Sequence, residues 1–223
     1  MNEPTAPDLF FEKLYRRYLD GLLTNDRQLC RASFVQWLDA TPDLPALYEG
    51  LVRRSLYEVG ELWEQGKISV AKEHLATAIS ESLLNLTYPR LFAQPRVDRA
   101  AVVACVANEY HQIGGKMVAD IFELNGWRGY FLGANTPVAA VKSLVSEKCP
   151  NVVALSLASL LNLHRLINAT LEIRETFPSL PILVGGQAFR WGGREQVEKL
   201  PGVHYLTSLS ELETWIKVSA NHG

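Results

Sequence analysis

Up to about Phe92 the apolar residues of this chain return at helical spacing. Phe11, Leu14, Tyr18 and Leu22 mark a first helix, which "TND" ends, with Asp26 placed to cap a second. The second carries Phe34, Trp37 and Leu38 until "TPDLP" stops it. A third presents Leu47, Leu51, Val59 and Leu62 on one face and is interrupted at Gly66. Ser69 can cap a fourth, whose expected apolar stripe is Leu75, Ile79, Leu83 and Leu86. Four helices with short joints predict an all-α four-helix bundle over residues 1–93.

"AQPRVDR" then reads as a linker, centred on residues 94–98. Past it the period changes. "AAVVACV", "GYFLG", "NVVALSL", "PILVGG" and "VHYLT" are short apolar runs of strand character, each followed by an amphipathic segment. Met117, Ile121 and Leu124 mark the first of these segments, Thr136-Pro137 is expected to cap and open the second, and "SLSE" at Ser208 to Glu211 forms a capping box for the last. Strand and helix in alternation predict an α/β Rossmann-like (flavodoxin-like) domain over residues 99–223, with a five-stranded parallel sheet covered on both faces.

Composition narrows the class. At 223 residues the chain can bury a core without staples. A formal net charge of -2 with 21% charged residues points to neither nucleic acid nor an anionic membrane surface. Cys30, Cys105 and Cys149 are scattered, so no disulfide framework or zinc site is expected, and the pattern suits a reducing cytosol. The first residues lack the order of a signal peptide, and no apolar run reaches membrane-spanning length. A cytoplasmic protein is expected.

Ligands of such sheets sit at the carboxyl ends of the strands. Three loops fall there: "NEYHQIGG", "SLASLLN" and "VGGQAF". Neither G-x-G-x-x-G nor a phosphate loop is present, and Ser156 lies between leucines rather than in a nucleophile elbow. No catalytic residue is therefore assigned. A lone loop histidine ordinarily hydrogen-bonds its own turn. His111, however, has Glu109 two residues before it, where a carboxylate can accept the second ring N–H, the arrangement that orients a metal-bound imidazole. One histidine cannot build a protein-only metal cage, but it can be an axial ligand to a metal already held in a macrocycle.

Glu109-Tyr110-His111-Gln112-Ile113-Gly114 resembles the Asp/Glu-x-His-x-x-Gly motif of cobalamin-binding domains, with Ser156-Leu157 and Gly185-Gly186 similar to the family's other two elements in order and spacing. The resemblance implies that His111 is the lower axial ligand of cobalt, that Glu109 orients it, and that Ser156 meets the base of the cofactor's tail. Gly114, Gly185 and Gly186 would make room for that tail. In the helical half, Trp63, nine residues, then Glu73-His74 resembles the cap of light-sensing cobalamin proteins, the MerR-type regulators and photocobilins. Val70, Glu73, His74 and Thr77 share a helix face by spacing. There the cap covers the upper axial group, adenosyl in the light sensors.

The expected role is thus a sensory module for adenosylcobalamin that acts on a protein partner, such as a transcription factor or signalling domain, or through self-association. Direct nucleic-acid binding is not expected, since the DNA-binding segment of those regulators has no counterpart here. Glu64 stands after Trp63 where a regulator of this type has a histidine. The alternatives are a corrinoid methyl carrier for a methyltransferase, or a bilin or heme sensor on the same scaffold, with His164 the residue that would touch a second tetrapyrrole.

Overall fold

The structure is a computed structural model describing residues 6–220; the outermost ends of the two expected domains lie outside the described residues. The chain forms two compact units, Met1–Pro89 and Arg90–Gly223.

In the helical unit, α1 (Ala6–Thr24) packs along α2 (Arg27–Ala40), which Asp26 caps by accepting from the Leu29 N–H at 2.9 Å. The third helix runs through three segments. It starts as α3 (Leu44–Leu47), widens into a π-helical turn at Tyr48–Arg53, and continues as α4 (Arg54–Glu64). The π turn brings Gly50 against the Trp37 ring, where a β-carbon would lie 3.0 Å from Cζ2. Gly66 ends the helix at φ +69°, with the Lys67 N–H reaching Leu62 O at 2.9 Å and the Gly66 N–H reaching Trp63 O at 2.8 Å. That double bond pattern satisfies the last carbonyls and needs a residue free to adopt positive φ. Ser69 caps α5 (Val70–Leu84) by accepting from the Lys72 N–H.

The unit's interior is rich in tyrosine, and each buried phenol is paired. Tyr18 donates to Ser80 Oγ at 2.9 Å, Tyr48 shares a 2.9 Å bond with Thr87, and Tyr15 donates to Glu58. These bonds correct the expected stripe of α5. Ala76, Ile79, Ser80, Leu83 and Leu84 face inward, while Leu75 is exposed and Leu86 only half-buried in a 3₁₀ turn, Asn85–Thr87. A small residue and a hydrogen-bonded serine occupy core positions that the apolar pattern could not register.

A short helix, α6 (Tyr88–Leu91), leads into the second unit. Residues 94–98 are tied to that unit. Val97 N–H donates to Gly126 O at 3.0 Å, and Arg96 pairs with Glu123 and donates to Trp127 O. The sheet is parallel, in the order β2-β1-β3-β4-β5, from β1 (Ala100–Cys105), β2 (Arg128–Phe131), β3 (Val152–Ser156), β4 (Ile182–Gly185) and β5 (Val203–Tyr205). β1 and β3 are buried along their whole length, as strands covered on two faces must be. α7 (Ile113–Leu124) and α11 (Leu209–Ala220) share one face. α8 (Val138–Lys148) and α9 (Leu163–Thr176) cover the other, packing on Val102, Ala104, Val153 and Leu155, and α10 (Arg194–Glu198) precedes β5.

Two expected helix starts differ in detail. Pro137, at φ -63° and ψ 141°, is itself the N-cap of α8, and Thr136 Oγ1 turns back to donate to Gly133 O. At α11 the Glu211 N–H donates to Ser208 Oγ at 3.0 Å, but the Glu211 carboxylate reaches one residue further back, to the Thr207 N–H.

Candidate functional site

The strand order reverses between β1 and β3, and the loops leaving those strands frame a crevice at the sheet's carboxyl edge. The β1 loop turns at Asn108, whose φ of 65° suits an asparagine in the left-handed region. The turn points Glu109 inward, where it is 1% exposed. Its two oxygens divide four donors evenly. Oε1 accepts from the His111 N–H at 3.0 Å and from His111 Nδ1 at 2.6 Å. Oε2 accepts from the Ala158 and Ser159 N–H groups at 2.9 and 2.8 Å. Burial by itself would raise the Glu109 pKa, but the bonds from the His111 side chain and from three backbone N–H groups outweigh it and hold the carboxyl down at about 2.

Glu109 is therefore ionised at neutral pH and makes His111 Nδ1 the protonated nitrogen. The imidazole itself is 68% exposed. This is the carboxylate–histidine pairing that presents an imidazole to a metal. Among the described residues, no group of three or more His, Cys, Asp or Glu side chains gathers as a metal cage. The donor set suits a metal that brings its own equatorial ligands.

Around this pair, Gly114 sits exposed at the start of α7. A β-carbon there would meet only Ser156 Oγ, at 3.6 Å, so the glycine keeps a gap open above that hydroxyl. Gly185 and Gly186 are small for a different reason, since protein backbone already fills the space. A β-carbon would lie 2.8 Å from Leu206 O at Gly185, and 2.1 Å from Leu157 O at Gly186, where φ is +124°. Gln112 braces the neighbouring loop by accepting from the Ala134 N–H at 3.2 Å. Ile113 and Leu157 are buried in the protein interior.

The Ala158 and Ser159 N–H groups belong to the site's frame and carry no side-chain signature in the sequence, and Asn135 joins that frame through its carboxamide oxygen as well as its backbone. Asn135 accepts from the Asn108 N–H at 2.8 Å and donates its own N–H to Glu109 O at 2.7 Å.

In the helical unit, Trp63 is 46% exposed at the end of α4 and Val70 50% exposed at the start of α5. Glu73 is braced by Thr77 at 2.9 Å and takes His74 Nδ1 at 2.5 Å, so an exposed imidazole here has the same carboxylate pairing as His111.

Fold and site together define a class, and the chain belongs to the B12 binding domain family: one model of that description matches residues 99–208 and a second matches residues 14–87. It is a cobalamin-binding domain. Two similar relatives are the HTH-type transcriptional repressors CarA and CarH of Myxococcus xanthus. CarA is 31% identical over 173 residues, 76% of this chain and 56% of that protein. CarH is 30% identical over 155 residues, 69% of this chain and 50% of that protein. The chain spans about half the length of the curated relatives it matches. Among solved structures, the monomethylamine corrinoid protein of Methanosarcina barkeri aligns with a TM-score of 0.76 at 16% identity, covering 97% of this chain and 99% of that one. The methanol:cobalamin methyltransferase complex MtaBC of the same organism aligns at 0.53 and 14% identity, covering 100% and 87%. Both likenesses are of fold. Among the described residues no helix is long and apolar enough to cross a membrane.

Proposed function

We propose that this chain is a light-sensing module that binds adenosylcobalamin and passes the signal to a protein partner or to a second copy of itself. The observation carrying it is the buried Glu109 carboxylate that takes His111 Nδ1 and orients an imidazole 68% exposed. In this reading His111 is the lower axial ligand and Ser156 and Gly114 receive the cofactor's tail. Trp63, Val70, Glu73 and His74 offer the helical unit's contact to the upper group. When bound, adenosylcobalamin supplies a cobalt–carbon bond that light can break. The half-exposed faces of Trp63 and Val70 are covered in one state and bare in the other, and such a difference is what biases a two-state interface. Similarity to CarA and CarH supports the sensory role, and no catalytic residue is assigned.

The test is reconstitution with adenosylcobalamin in the dark, then illumination, with absorption spectra and hydrodynamic size recorded for wild type and His111→Ala. Wild type is expected to show a histidine-ligated spectrum and a light-dependent change in size, and His111→Ala to lose the histidine signature. An unchanged spectrum in the variant refutes the axial assignment, and no light response in wild type refutes the sensor.

A second reading, compatible with the fold shared with the monomethylamine corrinoid protein, is a methyl carrier serving a methyltransferase. Preference for methylcobalamin with no light response selects it. Extraction of the bound pigment decides whether a bilin or heme accompanies the corrin.

A further inference from the structure

The α8–α9 face of the sheet holds a cavity of about 200 Å³ that the cobalamin reading does not use. Side chains alternate across a strand, so Ser156 and Cys105 face α7 while their neighbours Leu155 and Ala104 face α8 and α9. The cavity floor is apolar: Ala104 and Val106 from β1 and its extension, Leu155 from β3, and Val138 and Val141 from α8. Its mouth is polar and comes from successive turns of α9, where His164, Arg165, Asn168 and Glu172 line one wall. Of the two charged groups there, Arg165 is half-buried, beside the floor, and Glu172 is exposed, two turns along the helix and thus about 10 Å away. An apolar floor with one half-buried guanidinium beside it is the composition of a small-molecule site. The cavity is partly open to solvent, and its volume is of the order that takes a single aromatic ring.

The walls also touch the frame of the axial histidine. With its carboxamide oxygen turned toward α9, Asn108 accepts from Arg165 Nη2 at 2.8 Å and Nε at 3.2 Å. Val106 and Ala107 line the cavity two or three residues before Glu109. Thr136, on another wall, follows the Asn135 whose N–H donates to Glu109 O. Whatever draws Arg165 toward the cavity pulls on the turn that points Glu109 at His111.

We propose that this cavity is a binding site for a small organic carboxylate with a compact apolar body, one aromatic ring or a short branched chain. The carboxylate pairs with Arg165, the body lies on Ala104, Val106 and Leu155, and occupancy is communicated to the Asn108–Glu109 turn. Binding requires only the α/β unit's own residues, so it stands or falls separately from the assignment of cobalamin chemistry.

The test uses the full apo chain with benzoate as the probe, read by saturation-transfer NMR and by the amide resonances of Asn108 and Asn135. Benzoate is expected to bind and to shift both resonances, and benzylamine, the same ring with a cationic head, to bind at least tenfold more weakly. Arg165→Met should weaken benzoate about tenfold or more, the loss of a charge-assisted pair. Ala169→Phe should fill the cavity and abolish binding; should it fail to fold, Arg165→Met at its half-buried position still decides. No transfer to benzoate in wild type, equal binding of benzylamine, or benzoate affinity unchanged in Arg165→Met overturns the proposal.

Discussion

Replacing Glu109 by glutamine keeps the shape of the side chain and removes one of its two acceptor oxygens. In the structure each carboxylate oxygen serves two N–H donors. Glutamine can turn its oxygen toward only one pair, and its NH2 then faces two donors of the other, in a place that is 1% exposed. Leaving buried donors unsatisfied costs about 1–3 kcal/mol each. The titration argument gives a similar size. A carboxyl held at about 2 against an ordinary 4.5 stabilises the folded state at neutral pH by about 3 kcal/mol. Since the folded pKa is the lower one, this stability is fully present above about 4.5 and is lost as pH falls toward 2. Native-state hydrogen exchange of the β1 and β3 amides in the apo chain reads it strand by strand. Glu109→Gln should lower their opening free energy by about 3 kcal/mol at pH 7, and the gap from wild type should narrow steadily below pH 4.5. Equal protection at pH 7, or a gap that does not change between pH 6 and pH 3, would refute the reasoning that charge and four-fold donation hold this turn.

Gly186→Ala places a methyl 2.1 Å from Leu157 O at a φ of +124°, and is expected to cost about 2–4 kcal/mol in denaturant unfolding. Ser69→Ala removes the cap of α5 and should destabilise the helical unit by about 1 kcal/mol, seen as an earlier loss of helical circular dichroism. Burial pushes the Cys30 and Cys105 thiols up to about 12, aided by the nearby charges of Asp26 and Glu109, while Cys149 is exposed. Brief iodoacetamide treatment of the folded chain at pH 8 should therefore alkylate Cys149 alone, and mass spectrometry showing a second fast adduct would contradict the burial of the other two.

The parts of this protein legible in its sequence are those set by neighbours along the chain. The five strands, the caps at Asp26 and Ser69 and the stop at Gly66 rest on local periodicity and turn chemistry, and they stand where the residues placed them. The Glu109–His111 bond is equally local, spanning two residues. Only the tertiary structure shows why Glu109 stays ionised when buried, because Ala158 and Ser159 arrive from a loop about fifty residues on and donate backbone N–H groups, which every residue type but proline carries. It also decided the inward face of α5, where the hydroxyl of Tyr18 across the bundle makes Ser80 a core residue and leaves Leu75 outside. Periodicity records how apolar each side chain is. Which polar atoms find a partner on a distant element is written in the packing, and there a serine can be interior and a leucine not.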